Sequence, residues 1–536
     1  MLHGRRGAYV PAGPIEDIPL PETVQAVLAS RIDRLSPRDK DVLQAAAVVG
    51  RDVPTELLRV VVDLPTSELT SSLEGLASAE LLSPSDSPGG ASTFRHPLTQ
   101  EVAYRTQLLD RRRRTHAGVA HALLAIHGSA VSTHAALLAH HFEEGGEHLE
   151  AARWHEHAGR RVARSDPAEG ARHCRKVTEL LVTVPESPDT LTLELTSRIA
   201  LLEIDRLAGI DERHSRALFE EARVMAERLG DPRGHAFLLT SYGRLCGLAG
   251  DVRQYLDCAE RAAELAETSN DGTLSFEMRA VLAHAELAVG RLDAARATSG
   301  HALAEFARLP MLRDALVRST APALCRIWRA LASAYLGQLA EAQSDLEALL
   351  ADETERGLEV LYGTHGFLCE VLRLQGDLTR AIPHGRRAVE LAEASGSSFS
   401  RVEAAAFLGA ASLAAGDVDT ATSALEPALR LARARRNALW YEPRILATLA
   451  EARTAAGDRP GARALLAEAR ELVEQGRGWR LSACDVVLAW VRLLGSEAAL
   501  DRAVVESALA SLEALAAGFG AQVYRRMADI ERARLG

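Results

Sequence analysis

Over the second half of the chain, small and apolar residues keep fixed distances from a recurring glycine, with polar positions between them. The glycines are Gly209, Gly250, Gly290, Gly337, Gly376, Gly416 and Gly457, separated by 41, 40, 47, 39, 40 and 41 residues. Asp follows in LAGDV, LQGDL, AAGDV and AAGDR. Glycine enters the left-handed conformation without a Cβ clash and Asp caps a helix start, so each signal predicts one helix ending and another beginning. Five residues past the glycine stand Ala295, Ala342, Ala381, Ala421 and Ala462; twelve past it, Ala262, Ala302, Ala388, Ala428 and Ala469. Seven before it stand Gly243, Ala283, Ala330, Cys369, Gly409 and Ala450. Antiparallel helices approach closely only where side chains are small, so these offsets predict the seams of helical hairpins. Leu408, Leu425, Leu449 and Leu466 are expected to fill the gaps between layers. Such a period marks a solenoid, whose stability spreads over interfaces between neighbouring units.

The offsets resemble those of the tetratricopeptide repeat around its inter-helix turn. The unit is about six residues longer than that repeat's 34, which implies longer helices. The Trp and Tyr of the standard first helix are mostly absent. The regular repeats are expected over 209–494. Irregular first repeats are expected over 126–208, where HHFEEGGEHLEAARWHEHAG carries Gly146, Ala151 and Ala158 at the same offsets. Terminal helices over 495–536 would cap the stack.

The pattern over 21–125 differs. PETVQAVLASRIDRLS opens with Pro21 and runs amphipathically to Leu35; SPRDKDVLQAAAVVG has Ser36 as cap, Pro37 in the first turn and Gly50 as stop. PTELLRVVVDL and PTSELTSSLEGLASAELL give two further helices, the second with Thr66 as its expected cap. A loop, LLSPSDSPGGAST (81–93), then separates short strands. Helices followed by a two-stranded ribbon are the outline of a winged helix. The predicted fold is therefore all-α: a tetratricopeptide-like α-solenoid of helical hairpins, preceded by a small winged-helix-like domain with a short β-ribbon.

Composition narrows the function. The 536 residues are 47% hydrophobic, 25% charged and only 4% aromatic, which suits closely packed helices better than sheets. A net charge of −11 argues against a general nucleic-acid binder, which needs a basic footprint. The helix that would enter a major groove, 66–79, carries Glu68 and Glu74 and no basic residue. Cys174, Cys246, Cys258, Cys325, Cys369 and Cys484 form no C-x-x-C pair and read as buried small hydrophobes in a reducing compartment. No stretch reaches the roughly 20 apolar residues of a membrane span, and MLHGRRGAYVPAGP lacks a signal-peptide core. A cytoplasmic location is expected.

Three segments, LPETVQAVLASRIDRLSPRDKDVLQAAAVVG (20–50), FRHPLTQEVAY (94–104) and RRRRTHAGVAHAL (111–123), resemble the C-terminal part of bacterial STAND-class signalling ATPases. These include adenylate/guanylate cyclase–ATPase–repeat fusions and large ATP-dependent LuxR-type regulators. In that class the segments follow the nucleotide-binding domain and precede the repeats. The resemblance implies that 1–20 is a remnant or linker and that the chain is an isolated sensor half. No G-x-x-x-x-G-K-S/T occurs, and neither Lys40 nor Lys176 follows a glycine-rich turn, so the phosphate cradle of that class has no counterpart here.

No nucleophile–base constellation or metal-ligand spacing emerges, so no catalytic residue, cofactor or metal is expected. The Arg111–Arg114 run reads as a solvated helix face or a junction pairing with acidic neighbours. The stretch with His134, His140, His141, Glu143, Glu144, His148, His155 and His157 reads as a polar helix pair in a repeat. Trp328, Arg329, Tyr335, Trp440, Tyr441 and Arg444 are the candidates for a partner surface, since aromatic and arginine side chains anchor interfaces. The resulting expectation is a non-catalytic interaction or sensor scaffold. Its partner would be a protein, a peptide or a small effector in the groove, with a separate nucleotide-binding subunit as a further candidate. The alternatives are a transcriptional regulator acting through the head, and a fragment of a nucleotide-binding cyclase-type protein whose catalytic part lies elsewhere.

Overall fold

The computed structural model describes residues 2–5, 8–11, 22–85, 90–163, 165–316, 319–351, 357–475, 478–497 and 501–535. Pro21, the tip of the 81–93 loop and most of the expected 1–20 linker lie outside the described residues. The chain forms two compact units, Met1–Arg161 with Arg175–Glu186, and Val162–Cys174 with Ser187–Gly536.

In the first unit, the Pro37–Val49 helix begins as the sequence predicts. Ser36 Oγ accepts from the Asp39 amide at 3.1 Å, and Gly50 ends the helix at φ 139°. The Thr66–Ser78 helix corrects the expected cap: Pro65 holds that position with no side-chain hydrogen bond, and Thr66 is already helical. Two strands were expected after the helices and the sheet there has a third, while Leu2–Arg5 and Ala8–Pro11 pair in a separate antiparallel hairpin. Asp52–Pro54 pairs with Ala91–Phe94, whose other edge pairs with Leu82–Ser85, all antiparallel. Three residues ending in proline carry no alternation to announce a strand. Leu43, Leu58, Leu69, Leu76 and Phe94 close the core between helices and sheet. Arg111 pairs with Asp41 at 2.6 Å, and the Arg112 guanidinium lies 4.7 Å from the Tyr104 ring centre.

The second unit is an array of helical hairpins. Each predicted glycine joins two antiparallel helices, as Gly250 joins Pro232–Leu248 to Val252–Thr268 and Gly416 joins Ser398–Ala414 to Val418–Arg435. All seven glycines have φ between 80° and 135°. Asp251, Asp377, Asp417 and Asp458 each accept a backbone amide three residues on, at 3.0–3.2 Å. The 47-residue interval is explained by an extra short helix, Pro310–Ala315, between two hairpins. At the predicted seams Ala283, Ala295, Ala302, Ala330, Ala342, Ala381 and Ala462 are fully buried. The contact is closest at Gly409, where an added Cβ would lie 2.5 Å from Leu425 Cγ.

The array also closes on itself, which the repeat pattern does not predict. The Ile210 amide donates to the Arg435 carbonyl at 3.0 Å, and Arg435 Nη1 donates to the Ala208 carbonyl at 2.7 Å. Asn437 Nδ2 donates to the Arg206 carbonyl at 2.8 Å. Further along, Gly478 meets Val252, and Gly337 meets Gln522. The turns at Gly209, Gly290 and Gly337 thus touch segments several hairpins later, near Arg435, Arg480 and Gln522 respectively.

Candidate functional site

Curling the array turns the first helix of successive hairpins toward a common interior. Side chains from Pro188–Ala208, Pro232–Leu248, Gly272–Ala288, Ala321–Tyr335, Leu358–Gln375 and Ser398–Ala414 line one cavity of about 390 Å³. Behind it lies a smaller cavity of about 80 Å³. The two share His284, Trp328, Phe367, Glu403 and Trp440 in their walls.

One wall is aromatic. Trp328 stacks on His284 with ring centres 4.1 Å apart and meets Phe367 edge-on at 5.7 Å. Trp440, in the Leu439–Tyr441 turn, meets His284 at 5.6 Å and Phe399 at 5.8 Å, both edge-on. The Trp440 turn follows the Arg435–Asn437 docking segment directly, so closure of the array sets the position of this ring. His284 Nδ1 lies 2.9 Å from Tyr255 Oη, and burial together with Arg244 lowers the imidazole to about 3. It is a neutral ring near neutral pH.

The opposite walls carry charge. Arg206 Nε donates to Glu203 Oε2 at 2.9 Å. Burial works against ionisation of Glu203, but Arg206 and Arg244 outweigh it and hold the carboxyl at about 2. Glu403 lies deeper and is 3% exposed. Tyr441 Oη donates to its Oε1 at 2.5 Å, yet burial, with Glu359 adding to it, pushes Glu403 up to about 7. Burial likewise raises Glu277, whose Oε2 has no hydrogen-bond partner and whose nearest guanidinium, Arg233, is 3.9 Å away.

Glu403 gives a signed prediction. Its carboxyl keeps a proton in the folded state between the ordinary 4.5 and about 7, where the unfolded chain has lost it. Stability should therefore fall as pH rises through that window, by roughly 3 kcal/mol at most. Glu403→Gln should abolish that slope, so that the variant gains on the parent above pH 7. Urea unfolding at pH 5, 6, 7 and 8 checks this; parallel profiles for the two proteins would refute it.

The sequence candidates separate on this geometry. Trp328 and Trp440 line both cavities, and Tyr335, Tyr441 and Arg444 line the smaller one. Tyr335 Oη donates to Glu370 Oε1 at 3.0 Å and accepts from Arg444 Nη1 at 2.9 Å. Arg444 also pairs with Glu370 and lies 3.6 Å from Asp485. Arg329 is not among the lining residues; it pairs with Asp345 across its own hairpin at 2.7 Å. Sequence reasoning missed Glu203, Arg244, Glu277, His284, Glu370 and Glu403. A signal was present: Glu203, Arg244, His284 and Glu370 stand six residues before a turn glycine, and Glu277, Glu403 and Arg444 thirteen before. Seven residues are two helical turns, so both offsets mark one stripe of each first helix.

Elsewhere the titratable clusters are locally paired. His155 Nε2 lies 3.1 Å from Glu143 Oε2, whose other oxygen receives Lys176 at 2.8 Å. His116 and His141 meet through their Nδ1 atoms at 2.9 Å, and burial lowers them to about 4 and about 3. Among the described residues no three His, Cys, Asp or Glu side chains are grouped to hold a metal ion. Burial pushes the Cys325 and Cys369 thiols up to about 12. No helix among the described residues is long and apolar enough to cross a membrane.

No protein-family model matches the chain. No curated protein matches it either. Among solved structures, a Rap protein complexed with competence and sporulation factor is 15% identical over 72% of this chain and 99% of that one, with a TM-score of 0.48. The apo form of the quorum sensor NprR from B. thuringiensis is 14% identical over 70% and 99%, with a TM-score of 0.43. A signal transduction ATPase with a tetratricopeptide repeat sensor from Pyrococcus horikoshii is 12% identical over 83% of this chain and 64% of that one, at 0.37. These TM-scores lie below 0.5, so the helical-hairpin architecture stands on the helices, caps and seams of the chain itself.

Proposed function

We propose that the chain is a non-catalytic sensor or interaction scaffold of tetratricopeptide type, in which the curled array encloses a peptide or a small effector. The observation that carries this reading is the shared interior: first helices of consecutive hairpins converge aromatic and charged side chains on a cavity of about 390 Å³. Concave apolar sites with a few convergent polar groups are the usual form of a ligand site. Trp328 and Trp440 are its anchors, with Tyr335, Tyr441 and Arg444 as the supporting layer; Arg329 belongs to the outer face. The sequence resemblance supports placing it as the regulatory arm of a STAND-class signalling protein in the cytoplasm of a bacterium, alongside a nucleotide-binding partner. The helix–strand–helix–helix–ribbon order over 21–125 supports reading that segment as a winged-helix-like domain, followed by repeats over 126–494 and capping helices over 495–536.

The test is a thermal-shift screen of the full chain against pooled short peptides and small metabolites. A ligand present at about 100 times its Kd should add roughly 2.7 kcal/mol of stability and raise Tm accordingly. Trp440→Ala should weaken that ligand at least tenfold, about 1.4 kcal/mol, while leaving far-UV ellipticity unchanged. A ligand indifferent to both Trp440→Ala and Trp328→Ala would place the binding site outside the cavity.

A further inference from the structure

The lining of the larger cavity is unbalanced in charge. It contains four carboxylates, Glu203, Glu277, Glu359 and Glu403, against two guanidinium groups, Arg206 and Arg244. Both arginines are engaged: Arg206 donates to Glu203 at 2.9 Å, and Arg244 faces Glu203 and Glu359. Glu277 Oε2 is buried without a hydrogen bond and faces the guanidinium of Arg233, a residue outside the lining, at 3.9 Å, so the lining still carries more carboxyl than guanidinium groups. Glu403 is satisfied only by neutral hydroxyl donors, with Tyr441 at 2.5 Å and Tyr362 beside it.

The aromatic wall complements this acidity. Trp328 and Trp440 flank the same space as Glu403, and the faces of indole rings attract cations most strongly where water is excluded. The cavity volume of about 390 Å³ falls within the range of small-molecule sites. Resting on the sensor reading above, we infer that the ligand is a small organic cation, an ammonium group on an apolar body. Its charge lies between the Trp328 and Trp440 rings and the Glu403 carboxylate, and its body lies along Phe367 and Phe399.

Binding is coupled to a proton. Glu403 faces Glu359 and Tyr362 from one helix, Tyr441 from the turn and Arg444 from the helix beyond it; of these, Glu359 disfavours and the others favour its ionised form. His284, on the aromatic wall, is neutral throughout the range in which Glu403 titrates. A bound cation stabilises the ionised carboxylate, so the Glu403 proton passes to solvent when the cation enters below about pH 7. Affinity therefore rises with pH through that region and levels off above it.

The test uses the full chain and three probes of similar shape: 2-phenylethylammonium, 2-phenylethanol and 3-phenylpropionate. Binding is followed by tryptophan fluorescence, and by calorimetry in buffers of differing ionisation enthalpy. The expected result is that the ammonium probe binds at least about tenfold tighter than the alcohol, as a charge-assisted contact implies. Proton release should accompany it at pH 6 and vanish at pH 8.5. Glu403→Gln should lower its affinity about tenfold at pH 8 and abolish proton release. Glu359→Gln, at an exposed position, guards against a folding artefact; at pH 8, where Glu403 is already ionised, it should weaken the cation while leaving the alcohol unchanged. Preference for 3-phenylpropionate or the alcohol overturns the ligand class and leaves an enclosed sensor site standing. Quenching by a short peptide, with all three probes silent, likewise overturns the small-cation assignment. A fully silent set, together with a negative thermal-shift screen, removes both readings.

Discussion

Replacing Glu370 with Ala is expected to destabilise the chain by about 3–5 kcal/mol, the cost typical of leaving a buried charge uncompensated. Glu370 is fully buried and accepts four hydrogen bonds from three residues. Its Oε2 accepts Arg373 Nε at 2.8 Å, while its Oε1 accepts Arg373 Nη2 and Tyr335 Oη, each at 3.0 Å, as well as Arg444. Removing the carboxylate leaves the largely buried Arg373 and Arg444 guanidinium groups beside each other, with Asp485, 3.6 Å from Arg444, as the acidic neighbour that remains. Burial opposes ionisation of Glu370, but Arg373 and Arg444 prevail and hold the carboxyl far below the ordinary range. The ionised form thus belongs to the folded state: its contribution is complete above the ordinary 4.5 and is lost progressively on acidification. Urea unfolding at pH 7 checks the size of the loss, and a shallower acid limb in the variant checks its origin. A loss below about 1 kcal/mol would show the network to be as weak as an exposed ion pair.

The second large effect is expected at the tightest seam. Leu425 is fully buried and its side chain fills the space left by Gly409. Leu425→Ala should cost about 3–5 kcal/mol through lost burial and the cavity it leaves. Gly409→Ala alone should cost about 1–3 kcal/mol, because its Cβ would sit within 2.5–2.8 Å of three Leu425 atoms. Combined, the two should cost less than the sum of the singles, since the new methyl enters the vacated space. Additivity in this double-mutant cycle would mean that the two helices separate instead of sharing that volume.

What could be read from the chain followed the distance over which each signal acts. Gly416 and Asp417 act on their immediate neighbours, and the helix end and start they predict are present. Ala381 and Ala342 declare a helix–helix contact within one hairpin, and both are fully buried. Thr66 failed as a cap because Pro65, already extended, occupies the position without help from a side chain. Trp328 and Trp440 were nominated for rarity and aromatic character, and they share His284 as a neighbour. Nothing local joins them, since they lie in different hairpins and meet only once the array has curled. Arg329, adjacent to Trp328 in sequence, projects to Asp345 instead, because neighbouring residues on a helix point about 100° apart. The interior stripe of Glu203, Arg244, His284 and Glu403 was hidden by the habit of reading charge on an amphipathic helix as its solvated side.

The backbone bond between Ile210 and Arg435 alters how such a stack holds together. In an open spring of repeats, either tip frays without disturbing the middle. Here residues 227 apart along the chain are clasped, as by Arg435 on the Ala208 carbonyl, so a hairpin is held by its sequence neighbours and by the next coil as well. The entropy of closing so long a loop grows only logarithmically with its length, but it must be met late, once most intervening hairpins have formed. The ring that results behaves less like a row of independent coins than like a keyed lock, in which the tumblers align only when the barrel is whole.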